Sequence, residues 1–326
     1  MSEQRRLASP DTSPTQAISV TAVSGHRLLS RAVLVAVLVL FAGFLIGQTP
    51  EVLSILGRVS PAALAIAALL RAVAMLAATR AGYLLFLRCA PQLGFSEFVL
   101  LSVTGLFAGN FAPGGSTLSK GGYLKLRHQV PVLTFTGLHV TWLLGILVAG
   151  SLVALCCLLV LAANTHVVPW LPWLVAATGL AAGLLPAVLN TPVRQGIRGV
   201  PRLQAAVAVW RQTAPARLLM LVWPWLMLRA AAGFAALGVL LNSFDESPFA
   251  FLKGGIIEGL STGFNLVRII PGNFGLYEAG QALIGAELGI AVTMALTTAL
   301  IYRMLGLLAA GLLSILVQVF HRERRG

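Results

Sequence analysis

The chain has 326 residues, 58% of them hydrophobic and only 10% charged, with a mean hydropathy of +0.89 and a net charge of +13. A water-soluble domain carries about a quarter charged residues. The composition therefore excludes a soluble enzyme, a nucleic-acid-binding domain and a disordered chain, and leaves an all-α, polytopic integral membrane protein. A transmembrane barrel does not fit, because the apolar runs are long and continuous rather than alternating. The Lys and Arg residues sit between those runs, where anionic lipid head groups are the natural partners.

Residues 1–30 are polar, rich in Ser, Thr and Pro, and read as a disordered cytoplasmic tail. A first membrane half follows over 31–162 and a second over 163–326. About six full spans are expected, at 32–48, 61–88, 131–162, 170–189, 218–241 and 291–319, each close to or beyond the roughly 20 residues that cross a bilayer. Two further apolar regions, 97–127 and 249–288, are interrupted by Gly, Pro and Asn. Neither centre suits a continuous helix, so both are expected as re-entrant or broken hairpins lining a protected cavity. The 190–217 loop is basic and reads either as an amphipathic surface helix or as a solvated loop.

Charge orients this arrangement. If both broken regions return to the side they entered, the side of the tail holds Arg5, Arg6, Arg27, Arg31, Arg88, Lys120, Lys125, Arg127, the basic loop and the C-terminal arginines. The other side holds Arg58 and Lys253. Such a split is what the positive-inside rule expects, with both termini cytoplasmic.

The broken regions also resemble each other. Gly105-Leu106, Asn110 and Pro113-Gly114 in the first answer to Gly259-Leu260, Asn265 and Pro271-Gly272 in the second. The spans that follow share a core, WLLGILVAGSL from Trp142 and RMLGLLAAGLL from Arg303. With the charge-derived topology this predicts an inverted repeat, whose site lies between the halves.

Ionisable residues inside a span are costly and mark paired or functional positions. Arg71 lies roughly 15 Å into its span at helical rise, and Arg80 falls on the opposite face of the same helix. Arg229 and Arg303 are comparably deep. The first broken region adds Asn110, Lys120, Tyr123 and Lys125; the second adds Glu258, Asn265, Arg268, Asn273 and Glu278. These are the candidate substrate-binding residues. Glu278 and Arg303 form a natural buried pair, as a gate or as a strut. Lys125, Arg127 and His128 are expected at the head groups. The deep cations outnumber Glu258 and Glu278, so the cavity calls for an anion. A phosphate suits guanidinium groups and Gly-rich helix starts.

His139 reads as a core residue. Cys89, Cys156 and Cys157 read as packed small side chains, without a spacing suited to zinc. No HExxH, GxSxG or Walker-type motif occurs, so no catalytic residue, metal or cofactor is expected.

The stretch from Asn110 to Lys125, NFAPGGSTLSKGGYLK, resembles the first signature of the lysylphosphatidylglycerol synthase transmembrane (flippase-like) family. The stretch from Ile270 to Glu278, IPGNFGLYE, with Tyr302-Arg303 downstream, is similar to that family's Pro-Gly-x-x-Gly-x-x-Glu loop and its later Arg. Asn273 stands where the family often has Gly. The resemblance runs from about residue 30 to 320 and covers the membrane half without the aminoacyltransferase domain. It implies a multi-pass protein of a bacterial or archaeal cytoplasmic membrane. Such a protein would move an anionic phospholipid or a polyprenyl-phosphate-linked lipid, alone, as a homodimer or beside an envelope-biosynthesis partner. Two other functions stay open. One is a membrane-embedded enzyme acting on lipid head groups, with Asp245-Glu246 as its acidic site. The other is a non-transporting envelope-complex partner docking through the 190–217 loop.

Overall fold

The computed structural model describes residue 54 and residues 57–112, 114–165, 168–188, 216–245, 247–266 and 275–323. The tail, the first expected span at 32–48 and most of the 190–217 loop lie outside the described residues. The described residues are all-α and 88% helical, with no strand among them. Its helices are α1 (Pro61–Leu87), α2 (Phe95–Phe111), α3 (Gly115–His128), α4 (Val132–Thr165), α5 (Trp170–Val188), α6 (Ala216–Asn242), α7 (Ala250–Ser261), α8 (Leu276–Glu287) and α9 (Val292–Glu323). A short 3₁₀ helix, Thr262–Leu266, extends α7.

Among the described residues four helices, α1, α4, α6 and α9, are long and apolar enough to cross a membrane. Within their spanning windows α4 and α6 are 56% and 50% buried by the protein itself, but α1 and α9 only 28% each. The outer pair exposes Leu69, Leu308, Leu312 and Ile315, the surface expected of helices packed against lipid tails. Spanning helices must satisfy polar side chains internally. Thr136, Thr141, Thr297 and Thr298 do so by donating to the carbonyl four residues back, at 2.7–2.9 Å.

Local sequence explains where the helices begin and stop. Ser60 caps α1, its Oγ accepting from the Ala63 N–H at 3.1 Å, and Pro61 takes the first turn where no N–H is needed. At the far end of the first broken region, Ala112 precedes Pro113 and is extended (φ −140°, ψ 139°), which stops α2. Gly114 then turns back at φ 68°, a left-handed conformation natural to glycine. At Gly115 a Cβ would lie 2.3 Å from the Ala108 carbonyl oxygen, so only glycine lets the two arms touch here. The region expected at 97–127 is thus a hairpin of two short helices, α2 and α3. The region expected at 249–288 is a second one, α7 and α8, held by Gln281 Nε2 donating to Ser261 Oγ at 3.1 Å.

Side-chain contacts fix the helix directions. Phe86 stacks on Phe135 and Trp142 donates to the Ala78 carbonyl, so α1 and α4 are antiparallel. Leu226 packs at Gly145, and Val222 and Ala230 join the same core as Leu138 and Ala149, so α6 runs with α4. Arg71 meets Tyr302 and Gly306 while Met75 packs beside Ala310, so α9 runs with α1. The order long helix, hairpin, long helix therefore occurs twice, and the second set runs opposite to the first. Each hairpin also leans on the long helix of the other half, α2 on α9 and α7 on α4. Gly306 sits beside Arg71 of α1 as Gly145 sits beside Leu226 of α6, matching the shared span cores read in the sequence.

The α1–α2 connection, the α3–α4 connection and the start of α6 share one end of the molecule, which carries Arg88, Lys125, Arg127 and Arg217. The opposite end carries Arg58 and Lys253. At the first end Glu97, in the opening turn of α2 and outside the four spanning helices, gathers the hairpin's base. It accepts from Tyr123 Oη, from His128 Nε2 at 3.0 Å and from the Gly94 N–H at 3.3 Å, and pairs with Arg127 Nε at 3.3 Å. His128 therefore corrects one expectation. It turns inward, its side chain 4% exposed, rather than reaching outward to head groups, because Glu97 offers a buried acceptor.

Burial works against the Glu97 carboxylate, but the hydrogen bonds from Tyr123, His128 and Gly94 win and hold its pKa below the ordinary range. A carboxyl depressed on folding stabilises the fold fully above its unfolded pKa of about 4.3. It loses that contribution as pH falls through the depressed folded value. The unfolding midpoint of the wild type should therefore exceed that of Glu97→Gln near pH 6. The gap should close as the detergent-solubilised protein is acidified towards about pH 3.

Candidate functional site

Arg71 is carried into the middle of the bundle by the all-apolar first turns of α1, and Arg303 by the Thr-containing but uncharged first turns of α9. Between them, and between the two hairpins, lies a cavity of about 320 Å³. Arg71, Met75 and Ala78 of α1 face Tyr302, Arg303, Gly306 and Leu307 of α9. Asn110 and Gly114 come from the tip of the first hairpin, and Glu258, Thr262 and Tyr277 from the second. Trp142, Leu143 and Ile146 of α4 and Arg229 of α6 complete the wall. Every helix except α5 either lines this space or supports a residue that does.

The ionic groups fall into three sets. Arg303 bridges the halves: Nη1 donates to Glu278 Oε1 and Nη2 to Asn110 Oδ1 at 3.2 Å. Glu278 is fully buried, and its other oxygen accepts from the Gly275 N–H at 2.9 Å. Arg229 is paired within the second half. Its Nη2 lies 3.7 Å from Glu258 Oε1 and its Nη1 is 3.5 Å from Thr262 Oγ1. Glu258 also accepts from Tyr277 Oη at 3.0 Å.

Arg71 forms the third set, and its partner is an aromatic ring. Its guanidinium carbon lies 4.0 Å from the Tyr302 ring centroid, and Nη1 donates to Tyr302 Oη at 2.8 Å. No described carboxylate oxygen lies within 4 Å of it. Its Nε is buried and has no hydrogen-bond partner among the described residues. A charged donor buried without a partner is expensive, and an anion is the natural complement of a guanidinium beside a cavity.

The other candidate residues are distributed as follows. Arg80 lies away from the cavity, against Tyr83, Phe95 and Trp225 at 5.3, 5.2 and 5.9 Å. This follows from its position on the opposite face of α1 from Arg71. Lys120 is buried behind the cavity wall, its Nζ 4.9 Å from the Trp142 ring. Tyr123 is occupied by Glu97, and Lys125 is exposed at the base of the hairpin; neither lines the cavity. Asn265 lies in the 3₁₀ helix with its side chain outside the described residues, and Arg268 and Asn273 lie outside them altogether. His139 is buried within hydrogen-bond distance of Thr117 Oγ1, at 3.2 Å, and stacks on Phe135.

Sequence reasoning left out Tyr277, Tyr302 and Trp142. A usable signal was present, since each tyrosine directly precedes a deep charge, in Tyr277-Glu278 and Tyr302-Arg303. A phenol one position from a buried ion lies on the neighbouring helix face and reaches the next layer of partners.

Among the described residues no group of three or more His, Cys, Asp or Glu could hold a metal ion. Asp245 is spent on the Ser247 N–H and hydroxyl and on Lys253, at 2.9–3.3 Å, which shapes the α6–α7 turn; Glu246 lies outside the described residues. No family model matches the chain, and no curated protein or solved structure matches it.

Proposed function

We propose that this chain is a lipid transporter that carries an anionic head group across the cytoplasmic membrane through the cavity around Arg71, while the lipid tails remain in the bilayer. The observation that carries the reading is Arg71. It is a half-buried guanidinium whose buried Nε–H is unmet among the described residues, beside a cavity whose other two arginines already have carboxylate partners. Supporting it, two broken hairpins approach the cavity from opposite ends of the bundle, the arrangement of transporters with inverted repeats. On this reading the hairpins are re-entrant, the basic end with Arg88, Arg127 and Arg217 faces the cytoplasm, and about six full spans surround the site. The resemblance of the two signature stretches to the flippase-like family agrees with it.

Transport would be alternating access, with the halves rocking about the fixed arginine site. Trp142 and Ile146 provide an apolar wall, and Asn110 and Thr262 provide neutral polar contacts. Reconstitution into phosphatidylcholine vesicles with a fluorescent anionic phospholipid tests the proposal. The wild type should accelerate leaflet exchange. Arg71→Gln should slow it by about ten- to a hundredfold, the worth of a charged hydrogen bond. Exchange at the wild-type rate in Arg71→Gln would overturn it.

A further inference from the structure

Resting on the cavity but not on what it carries, we infer that the two hairpins have different mechanical roles. The first, α2–α3, is a preassembled arm that swings to open and close the cavity. The second, α7–α8, belongs to the fixed frame. The difference lies in where each hairpin spends its glycines. Lipid gives helices no hydrophobic drive to associate, so close backbone contact through small residues is what locks one helix to another.

In the second hairpin those contacts point outward. A Cβ at Gly254 would lie 2.7 Å from the Gly238 Cα of α6, and one at Gly259 2.4 Å from the Gly150 carbonyl oxygen of α4. Backbone therefore meets backbone on two sides of α7. The ion pairs Arg229–Glu258 and Arg303–Glu278 tie the same hairpin to α6 and α9. Displacing it would open both helix contacts and separate two buried ion pairs, each costly to break.

In the first hairpin they point inward. Gly115 of α3 touches the Ala108 carbonyl of α2, and Gly105 and Gly109 of α2 back onto Ser116 of α3. At the base, Glu97 holds Gly94, Tyr123, Arg127 and His128, all within this hairpin. The arms are bound to each other from tip to base. Towards the long helices the hairpin offers rings and single polar contacts. Phe98 lies over Gly82 of α1, and Phe135 of α4 lies over Gly121. Thr117 Oγ1 is 3.2 Å from His139 Nε2, and Asn110 at the tip accepts from Arg303. A ring over glycine can slide without opening a gap between backbones, the condition for a shear or hinge movement. Both connections to the long helices lie at the base. One of them starts at Gln129, held at φ 54°, a left-handed conformation uncommon for a residue with a side chain. The arm therefore pivots at its base, and its tip at Asn110 moves against Arg303.

Double electron–electron resonance of the full chain in phosphatidylcholine–phosphatidylglycerol nanodiscs tests this. The native cysteines are replaced by Ala, and spin labels go to exposed positions: Leu118→Cys near the tip of the first hairpin, Leu283→Cys on the second, and Met220→Cys on α6 as the common reference. The Leu118–Met220 distances should form two populations separated by roughly 5 Å or more, about one helical turn. The Leu283–Met220 distances should form one narrow population. Asn110→Ala removes the charged hydrogen bond at the tip and should shift the first pair's populations by about tenfold, leaving the second pair unchanged. Thr117→Val, nearly the same shape, should shift them in the same direction. Equal widths for the two pairs overturn the inference. So does a first pair that neither variant moves when both melt like the wild type. Leaflet exchange with a motionless first hairpin removes this inference alone. A swinging hairpin in a protein that exchanges no lipid supports it and removes the transport reading alone.

Discussion

Glu278→Gln should lower the stability of the detergent-solubilised protein by about 3–5 kcal/mol, the cost of removing one partner from a buried ion pair. Glu278 is fully buried and Arg303 nearly so, its side chain 13% exposed. The substitution takes the carboxylate away from a guanidinium whose Nη2 still donates to the neutral Asn110. It also weakens the acceptor for the Gly275 N–H, which starts α8. A thermal melt reads the loss directly. The double variant Glu278→Met with Arg303→Met removes both charges together and should regain most of the stability, because desolvation of the pair opposes its attraction. Its leaflet-exchange rate then separates strut from gate. A stable double variant with normal exchange makes the pair a strut between the hairpins. A stable double variant without exchange makes it part of the moving machinery.

Gly259→Leu should prevent the second hairpin from docking. Gly259 of α7 and Gly150 of α4 meet backbone to backbone. A Cβ at Gly259 would lie 2.4 Å from the Gly150 carbonyl oxygen and 2.8 Å from the Ala154 Cβ. Neither neighbour is the end of a flexible side chain, so the helices themselves must separate. Close approach of small residues is the main source of helix association where lipid surrounds the bundle. The gain in helix propensity from replacing glycine, at most about 1 kcal/mol, is too small to offset the lost interface. The expected result is loss of a monodisperse peak in size-exclusion chromatography, with a thermal transition lowered or absent. Gly311→Leu is the control. Gly311 is the repeat counterpart of Gly150 on α9, but a Cβ there meets nothing within 4 Å. That variant should stay within about 0.5 kcal/mol of the wild type.

The contrast between Gly150 and Gly311 also shows how far the internal repeat extends. The two halves share element order and the placement of Gly145 and Gly306, but not charge. Where α1 presents Arg71 to Gly306, α6 presents Leu226 to Gly145. One half supplies a cation that has no carboxylate within ion-pair distance among the described residues, and the other supplies an apolar contact at the matching place. The site is therefore asymmetric within a nearly symmetric frame, and duplication of the fold did not duplicate the chemistry.

The sequence alone determined the parts of this protein that depend on local physics. Apolar runs of sufficient length specified the spanning helices, and boundaries fell within a few residues of the α1, α4, α6 and α9 termini. Gly and Pro clusters marked the breaks, because Pro113 denies its predecessor a helical conformation and Gly114 accepts a left-handed one. The opposing charges of Glu278 and Arg303 could be matched from their depth alone. What the tertiary structure decided was which deep cations are already satisfied. Arg71 and Arg80 lie on one helix and have equal charge. One faces a cavity and the other three aromatic rings, because neighbours brought from elsewhere surround them differently. Arg71 finds Tyr302 across 231 positions of sequence, and Arg303 finds Asn110 across 193. Helical periodicity says which way a side chain points, but a charge inside a membrane is valued by what it meets, and only the packed bundle settles that.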